Sequence, residues 1–197
     1  MKTYYDFDSL PVTRWRNGGG HTREIVSFPP GEAEFGWRAS IATIAVDGPF
    51  SRFPGVDRVI TLLDGDSVLL RSAQGEQRLQ RHQPWAFPGE WAIEAQIDGR
   101  CLDFNIMTRR ARWQADVAVV QQRVSGMQGV AWVLTGSWHT AQGEALASQQ
   151  GVWWQDEVLT LTPATPEASL LWVTLNRVPE NGPAACSASL DKAGARK

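Results

Sequence analysis

Short runs of apolar residues, each ended by turn residues, recur along most of the chain. Such runs are typical of short strands, in which side chains alternate between two faces. Many short strands separated by turns predict an all-β sandwich or barrel. Only residues 144–150 have a briefly helical pattern. The predicted strands cover residues 22–28, 37–46, 56–62, 67–71, 77–80, 91–97, 101–108, 113–124, 129–135, 152–154, 157–161 and 169–175.

Polar side chains fall on shared faces of three strands in the first half of the chain. Arg38 and Ser40 lie on one side of an otherwise apolar run, and Arg58 alternates with aliphatic residues in the next. A third strand carries Asp103 and Asn105 on one face. Polar groups that share an inner face indicate a pocket.

Arg58 needs a partner, because a buried and unpaired charge costs several kcal/mol or more. That partner is either a carboxylate of the protein, from Asp57 or Asp103, or the carboxylate of a ligand. The residues leave both alternatives open. If Asp103 lies beside Arg58, we expect its carboxyl to be strongly acidic, since a nearby cation favours the ionised form.

A second candidate element is the loop after Trp15, where Asn17 precedes three consecutive glycines. Glycines in sequence impose a loop, because each loses much backbone entropy in regular structure. Asn17 could bind a ligand through its amide or could simply close a turn. Trp15 could stack nearby or pack in the core.

Composition narrows the class of protein. The 197 residues are 43% hydrophobic and 20% charged with a net charge of -2, which is typical of a soluble globular protein. The arginines are scattered, so we expect no direct contact with nucleic acid. The N-terminus has no apolar signal core and residues 124–143 are too polar to span a bilayer, so we expect a cytoplasmic protein without a membrane partner.

Cysteines and histidines are too few and too widely spaced for a structural zinc site. They are Cys101, Cys186, His21, His82 and His139. Cys101 lies in a predicted strand and Cys186 in a polar tail, so we expect no disulfide between them. Phosphate-binding glycine motifs are also missing, and we predict neither a metal nor another cofactor.

Four segments of the first half together resemble the HutD/Ves family of bacterial proteins, and the chain is nearer to the stress-induced members than to those of histidine utilisation. They read WRNGGGHTREI, FGWRASIATI, DGPFSRFPGVDR and LDFNIMTRR, in this order. The resemblance covers about residues 10–112 and continues more loosely to about residue 178. It implies a bicupin, with an N-terminal cupin-like barrel that holds the pocket (1–110) and a C-terminal cupin-like unit (111–178). The polar tail, 179–197, is expected to be disordered.

The metal ligands of a cupin are not at their places in this sequence. Counted back from Gly65, the glutamate position of the cupin motif is Arg58, and the two histidine positions fall within residues 51–54. Counted on from Gly89, the last histidine position is Ala92. A permanent cation in place of a metal-binding carboxylate favours an anion, since guanidinium matches a carboxylate or phosphate.

The resemblance implies a regulatory protein that binds a small anionic metabolite carrying a carboxylate. Arg58 would anchor the anion, and the other predicted contacts are polar side chains and two aromatic walls. They are Asn17, Arg38, Ser40, Asn105, Phe50 and Phe104.

The sequence leaves three alternative functions open. Arginine as the main pocket charge favours binding without catalysis, because it cannot act as a general acid or base. The alternative is a metal-independent cupin enzyme, such as an isomerase or epimerase, with Asp103 as its base. A third hypothesis is a purely structural interaction protein. The sheet edges of tandem barrels can pair, which leaves a homodimer as an open expectation.

Overall fold

The computed structural model describes residues 1–179, and over this range the chain forms nineteen β-strands and no helix. The first eleven are β1 (Lys2–Asp6), β2 (Val12–Arg14), β3 (Gly20–Phe28), β4 (Trp37–Ile44), β5 (Gly48–Pro49), β6 (Val56–Asp64), β7 (Val68–Ser72), β8 (Gly75–Leu79), β9 (Trp85–Pro88), β10 (Glu94–Ile97) and β11 (Cys101–Arg109). The other eight are β12 (Trp113–Val120), β13 (Val124–Gly126), β14 (Gly129–Thr135), β15 (Ser137–Thr140), β16 (Ala145–Ala147), β17 (Gln150–Trp154), β18 (Leu159–Pro163) and β19 (Ser169–Arg177). The all-β class is therefore confirmed.

Two sheets build the first unit. Six antiparallel strands form the larger one in the order β2-β3-β4-β11-β6-β9, and the smaller one has the order β5-β10-β7-β8. Between them lies an apolar cluster to which both sheets contribute, including Ile60 and Leu62 from β6, Leu70 from β7 and Ala95 from β10. Period-two alternation of aliphatic residues places these side chains on the inner face.

The second unit repeats the arrangement with a five-stranded sheet, β1-β17-β14-β19-β12, and a four-stranded sheet, β13-β18-β15-β16. Its interior is packed with large side chains, among them Trp138, Trp154 and Trp172.

The N-terminal strand β1 belongs to the sheet of the second unit, although the rest of the first half does not. It pairs antiparallel with β17, and Lys2 lies opposite Trp154. The first unit is thus built from β2 to β11, and β1 forms one edge of the other sheet.

A third apolar cluster joins the two units. It contains Trp37, Phe104 and Ile106 from the large sheet of the first unit, and Trp132 and Val173 from that of the second. These sheets therefore pack face to face and bury the outer side of β4 and β11.

The helical pattern predicted for residues 144–150 is wrong. Residues Ala145–Ala147 form β16, which pairs with β15, and Gln149 turns the chain toward β17 with a φ of 66°. Glutamate, alanine and leucine favour helices, but cross-strand pairing overrides that weak preference. Residues 180–197, nearly all of the tail expected to be disordered, lie outside the described residues. Within residues 1–179, no helix is long and apolar enough to cross a membrane.

Candidate functional site

Strand register brings the predicted polar residues together on the inner face of the first unit. Met107 of β11 lies between Arg38 of β4 and Arg58 of β6. The next inward residue, Asn105, lies between Ser40 and Ile60. The shared faces predicted for β4, β6 and β11 are confirmed.

These side chains line a cavity of about 620 Å³ inside the first unit. Six of the seven predicted contact residues lie on its wall: Asn17, Arg38, Ser40, Phe50, Arg58 and Asn105. Phe53 and Met107, which were not predicted as contacts, also line it. Met107 follows Asp103 and Asn105 in the two-residue period and could have been found from it, whereas Phe53 lies in an irregular loop without such a signal.

The structure does not bring Phe104 to this cavity. Its side chain is 1% exposed and belongs to the core between the two large sheets. Phe104 stands between Asp103 and Asn105, and because neighbours along a strand point to opposite faces, it cannot share the wall that they form.

Arg58 is almost wholly buried, with 6% of its surface exposed. It donates one hydrogen bond from Nη2 to Oδ1 of Asn105 (2.9 Å) and one from Nη1 to the carbonyl oxygen of Ser51 (3.3 Å). Three aromatic rings surround the guanidinium with centroids 5.0 to 5.6 Å from Cζ, those of Phe50, Phe53 and Phe87. Such contacts stabilise a cation through the ring quadrupole.

The hydrogen bonding of Arg58 is incomplete. Its Nε is buried without a hydrogen-bond partner among residues 1–179. Within the same residues, no carboxylate oxygen lies within 4.0 Å of its guanidinium nitrogens. Burial lowers the pKa of Arg58 to about 10, so it stays charged at neutral pH. The charge is thus held mainly by neutral groups.

Among residues 1–179, Asp103 is the one carboxyl group on the wall of this cavity, and it is 1% exposed. Its Oδ1 accepts a hydrogen bond from Nδ2 of Asn105, while its Oδ2 is buried without a partner among residues 1–179. Burial raises the pKa of Asp103 to about 7, although Arg58 and Asn105 act to lower it. The expectation of a strongly acidic carboxyl is therefore wrong, because desolvation of the ionised form outweighs the attraction of Arg58.

Arg38, the second guanidinium, already has a partner. Its Nε lies 2.7 Å from Oε2 of Glu24, a residue of the neighbouring strand β3. The positive charge of Arg38 also helps to lower the pKa of Arg58. Sequence reasoning missed Glu24, because only the pairing of β3 with β4 brings it to Arg38.

The glycine loop closes one side of the cavity. Oδ1 of Asn17 accepts a hydrogen bond from the backbone of Gly19 (2.9 Å), so this side chain closes a turn while it lines the cavity. Nε1 of Trp15 donates to Oγ1 of Thr22 (2.8 Å). A Cβ on Gly20 would lie 2.1 Å from the carbonyl oxygen of Thr43, so the sheet leaves no space for a side chain there.

The donor set of the cavity does not fit a metal ion. Among residues 1–179, one carboxyl lines the cavity, that of Asp103, close to the cation Arg58. The other polar side chains on the wall are amides, hydroxyls and three further arginines. A divalent metal would be repelled by the guanidinium and would find too few anionic ligands. Within residues 1–179, no group of three histidine, cysteine, aspartate or glutamate side chains could hold one.

Two tandem barrels, each made of a larger and a smaller sheet, define this protein as a bicupin, as predicted. The fold is also similar to that of the bacterial pirin YhhW from Escherichia coli, solved in complex with nickel(II) (TM-score 0.61, 10% identity, 91% of this chain and 99% of that one). At this low identity the likeness concerns the fold alone.

The chain belongs to the HutD family, whose sequence model, described as HutD, matches residues 7–172. It is 43% identical over 182 residues to the protein Ves of Citrobacter koseri, covering 89% of this chain and 95% of that protein. Among solved structures it is similar to HutD from Pseudomonas fluorescens SBW25, determined in a formate condition (TM-score 0.78, 27% identity, 91% of this chain and 100% of that one). The family resemblance is therefore confirmed.

Proposed function

We propose that the cavity of the first barrel binds a small metabolite carrying a carboxylate, and that the protein is a non-catalytic regulator in metabolism or stress response. The observation that carries this proposal is Arg58, a buried guanidinium without a carboxylate partner among residues 1–179 and with an unused Nε donor. A ligand carboxylate would supply the missing charge and acceptor. Guanidinium offers such a group two parallel hydrogen bonds.

The size and lining of the cavity support the same ligand class. About 620 Å³ lies within the range of roughly 300 to 1,000 Å³ that is usual for small-molecule sites. Ser40 and Asn105 offer neutral polar groups, while Phe50 and Met107 offer apolar contact. A ligand with an anionic end and a short uncharged body would match these groups.

The location and assembly expected from the sequence remain predictions. We propose a cytoplasmic protein without a direct nucleic-acid or membrane partner, and a homodimer formed through a sheet edge. Light scattering coupled to size-exclusion chromatography would give the mass in solution, and a monomeric mass would contradict the dimer.

Thermal unfolding in the presence of small acids tests the binding proposal. The panel contains formate, acetate, glutarate, urocanate and N-formylated amino acids. An acid present at a hundredfold excess over Kd stabilises the native state by about 2.7 kcal/mol, which is roughly 5–10 °C in Tm for a chain of this size. We expect at least one acid to reach this range with the wild type and to give no shift with Arg58→Met.

Two further variants control for charge. Arg58→Lys keeps the cation but loses the planar fork, so its shift should be intermediate. Arg123→Met removes an exposed arginine of the second unit and should respond like the wild type. If no acid shifts the wild type, the binding proposal fails and the structural-protein hypothesis gains.

One observation favours the metal-independent enzyme as a second candidate function. A carboxyl with a pKa of about 7, as Asp103 has, is suited to exchange protons at neutral pH. If the protein isomerises or epimerises an acid of the panel, Asp103→Asn should abolish turnover and retain binding. Turnover that survives this substitution would contradict the role of Asp103 as the base.

A further inference from the structure

Hydrogen bonds fix the relative orientation of three polar side chains in the cavity, those of Arg58, Asn105 and Asp103. Arg58 can only donate, so the atom of Asn105 that it contacts at 2.9 Å is the amide oxygen. The amide nitrogen of Asn105 then faces Asp103 and donates to its Oδ1. A proton on this carboxyl would therefore reside on Oδ2, the oxygen that has no partner among residues 1–179.

We infer that Asp103 is a ligand-binding residue in its protonated form, and that its Oδ2 hydroxyl donates a hydrogen bond to the carboxylate held by Arg58. This inference rests on the proposed function and specifies it. Each bound acid would arrive as an anion, and the cavity would take up one proton from solvent, which stays on Asp103. The two carboxyl groups would then share one proton and one cation.

The charge balance around Asp103 supports this arrangement. Arg58 faces it from β6, and Arg38 lines the same cavity from β4. The Nε of Arg38 lies 2.7 Å from Glu24 of β3, which compensates its charge. Arg14 and Arg16 also line the cavity but are exposed, so Arg58 is the buried cation available to the two carboxyl groups. Like charges in such a site raise the affinity of one of the carboxyl groups for a proton.

The other inward groups near Asp103 are neutral. On its own strand these are Asn105 and Cys101, and burial raises the pKa of the Cys101 thiol. Thr22 and Thr13 line the cavity from β3 and β2. Since Asp103 already has a pKa of about 7, a fraction of the protein holds the proton at neutral pH before any anion arrives.

The pH dependence of acid binding tests the inference. We would titrate the full chain with formate and glutarate between about pH 6 and about pH 9 and follow tryptophan fluorescence or amide NMR shifts. If binding requires the proton, the apparent Kd should rise about tenfold per pH unit above the pKa of Asp103. At about pH 8, a pH indicator in weak buffer should report uptake approaching one proton per acid bound.

Asp103→Asn keeps the acceptor for Asn105 and places an amide donor where the hydroxyl would be. We expect this variant to bind with an apparent Kd that does not change with pH and without proton uptake. His21→Gln is the matched control, since it removes a titratable side chain of the same sheet, whose pKa burial and nearby arginines lower. It should retain the wild-type profile.

The outcomes separate the two proposals. Acid binding by the wild type with a flat pH profile and no proton uptake would overturn the role of Asp103 and leave the binding proposal intact. A ligand N–H donating to ionised Asp103 would give that result. If neither acid binds at any pH, the proposed function fails together with this inference. Proton uptake is measured on the wild type, so the test does not depend on whether Asp103→Asn folds.

Discussion

The two barrels of this protein share an architecture but fill their interiors differently. In the first, Arg58, Asp103 and Asn105 are buried around a cavity of about 620 Å³. In the second, the interior is an apolar cluster in which the ring centroids of Trp154 and Trp172 lie 4.6 Å apart. The buried polar residues of this half, as far as residue 179, are Thr140, Gln155 and Ser169, and none of them is ionisable at neutral pH.

The contrast indicates that different interactions determine the stability of the two barrels. Large apolar side chains stabilise the second barrel. The first barrel carries the cost of a desolvated cation and carboxyl, as expected of the binding site that we propose. Its stability is expected to depend on pH and on ligand, whereas that of the second should depend mainly on packing.

Tryptophan truncation should give the largest effect. Trp154→Ala in the second barrel removes a fully buried ring and its hydrogen bond to the carbonyl of Gly126, and we expect a loss of about 3–5 kcal/mol in the free energy of unfolding. Trp15→Ala, on the partly exposed wall of the first barrel, should cost clearly less. Urea denaturation measures both, and equal losses would contradict the contrast.

The pH dependence of stability should give the next effect. The pKa of Asp103 is about 7 in the folded chain against an ordinary value of 3.8, so between about pH 4 and pH 7 the native state binds more protons than the unfolded state. Stability without ligand should therefore fall as pH rises through this window and level off above it, by at most about 4 kcal/mol.

Asp103→Asn should flatten that decline, because its neutral amide resembles the protonated acid. Asp116→Asn replaces an exposed aspartate of the second barrel and should keep the wild-type slope. Free energies of unfolding, measured at several pH values for both variants and the wild type, test this prediction. If the stability of Asp103→Asn still falls as pH rises, another titratable group causes the decline.

Two phenylalanines should show the smallest effects and distinguish the faces of the large sheet. Phe104→Leu reduces packing between the barrels and should cost about 1 kcal/mol of stability without changing acid affinity. Phe50→Leu alters the cavity wall and should weaken acid binding at a smaller cost in stability. Acid titration with each variant checks this, and a loss of affinity in Phe104→Leu alone would reverse the assignment.

Strand faces were predictable from sequence because the backbone dictates them. Alternation along a strand has a period of two, so Arg38 with Ser40 and Asp103 with Asn105 could be placed on common walls from spacing. The same rule applied to Phe104 would have excluded it from the cavity. The prediction for Phe104 is wrong because it rests on the aromatic type of the residue and not on the face of its strand.

Other features depend on distant pairing and on burial, which spacing does not encode. Glu24 reaches Arg38 only because β3 pairs with β4. The pKa of Asp103 depends on how completely the barrel excludes water, and proximity to Arg58 alone predicted the opposite direction. The short β16 was hidden by residues that prefer helices.

The position of β1 has a consequence for how the chain can be made and divided. Residues Lys2–Asp6 pair with residues Gln150–Trp154, so the start of the chain finds its partner only after about three quarters of the protein has been synthesised. Until then, β1 has no partner strand, because the first barrel, which is already synthesised, does not include it. Cleavage between β11 and β12 would likewise not release two whole barrels, because β1 would stay with the N-terminal fragment and leave β17 as an unpaired edge of the second barrel.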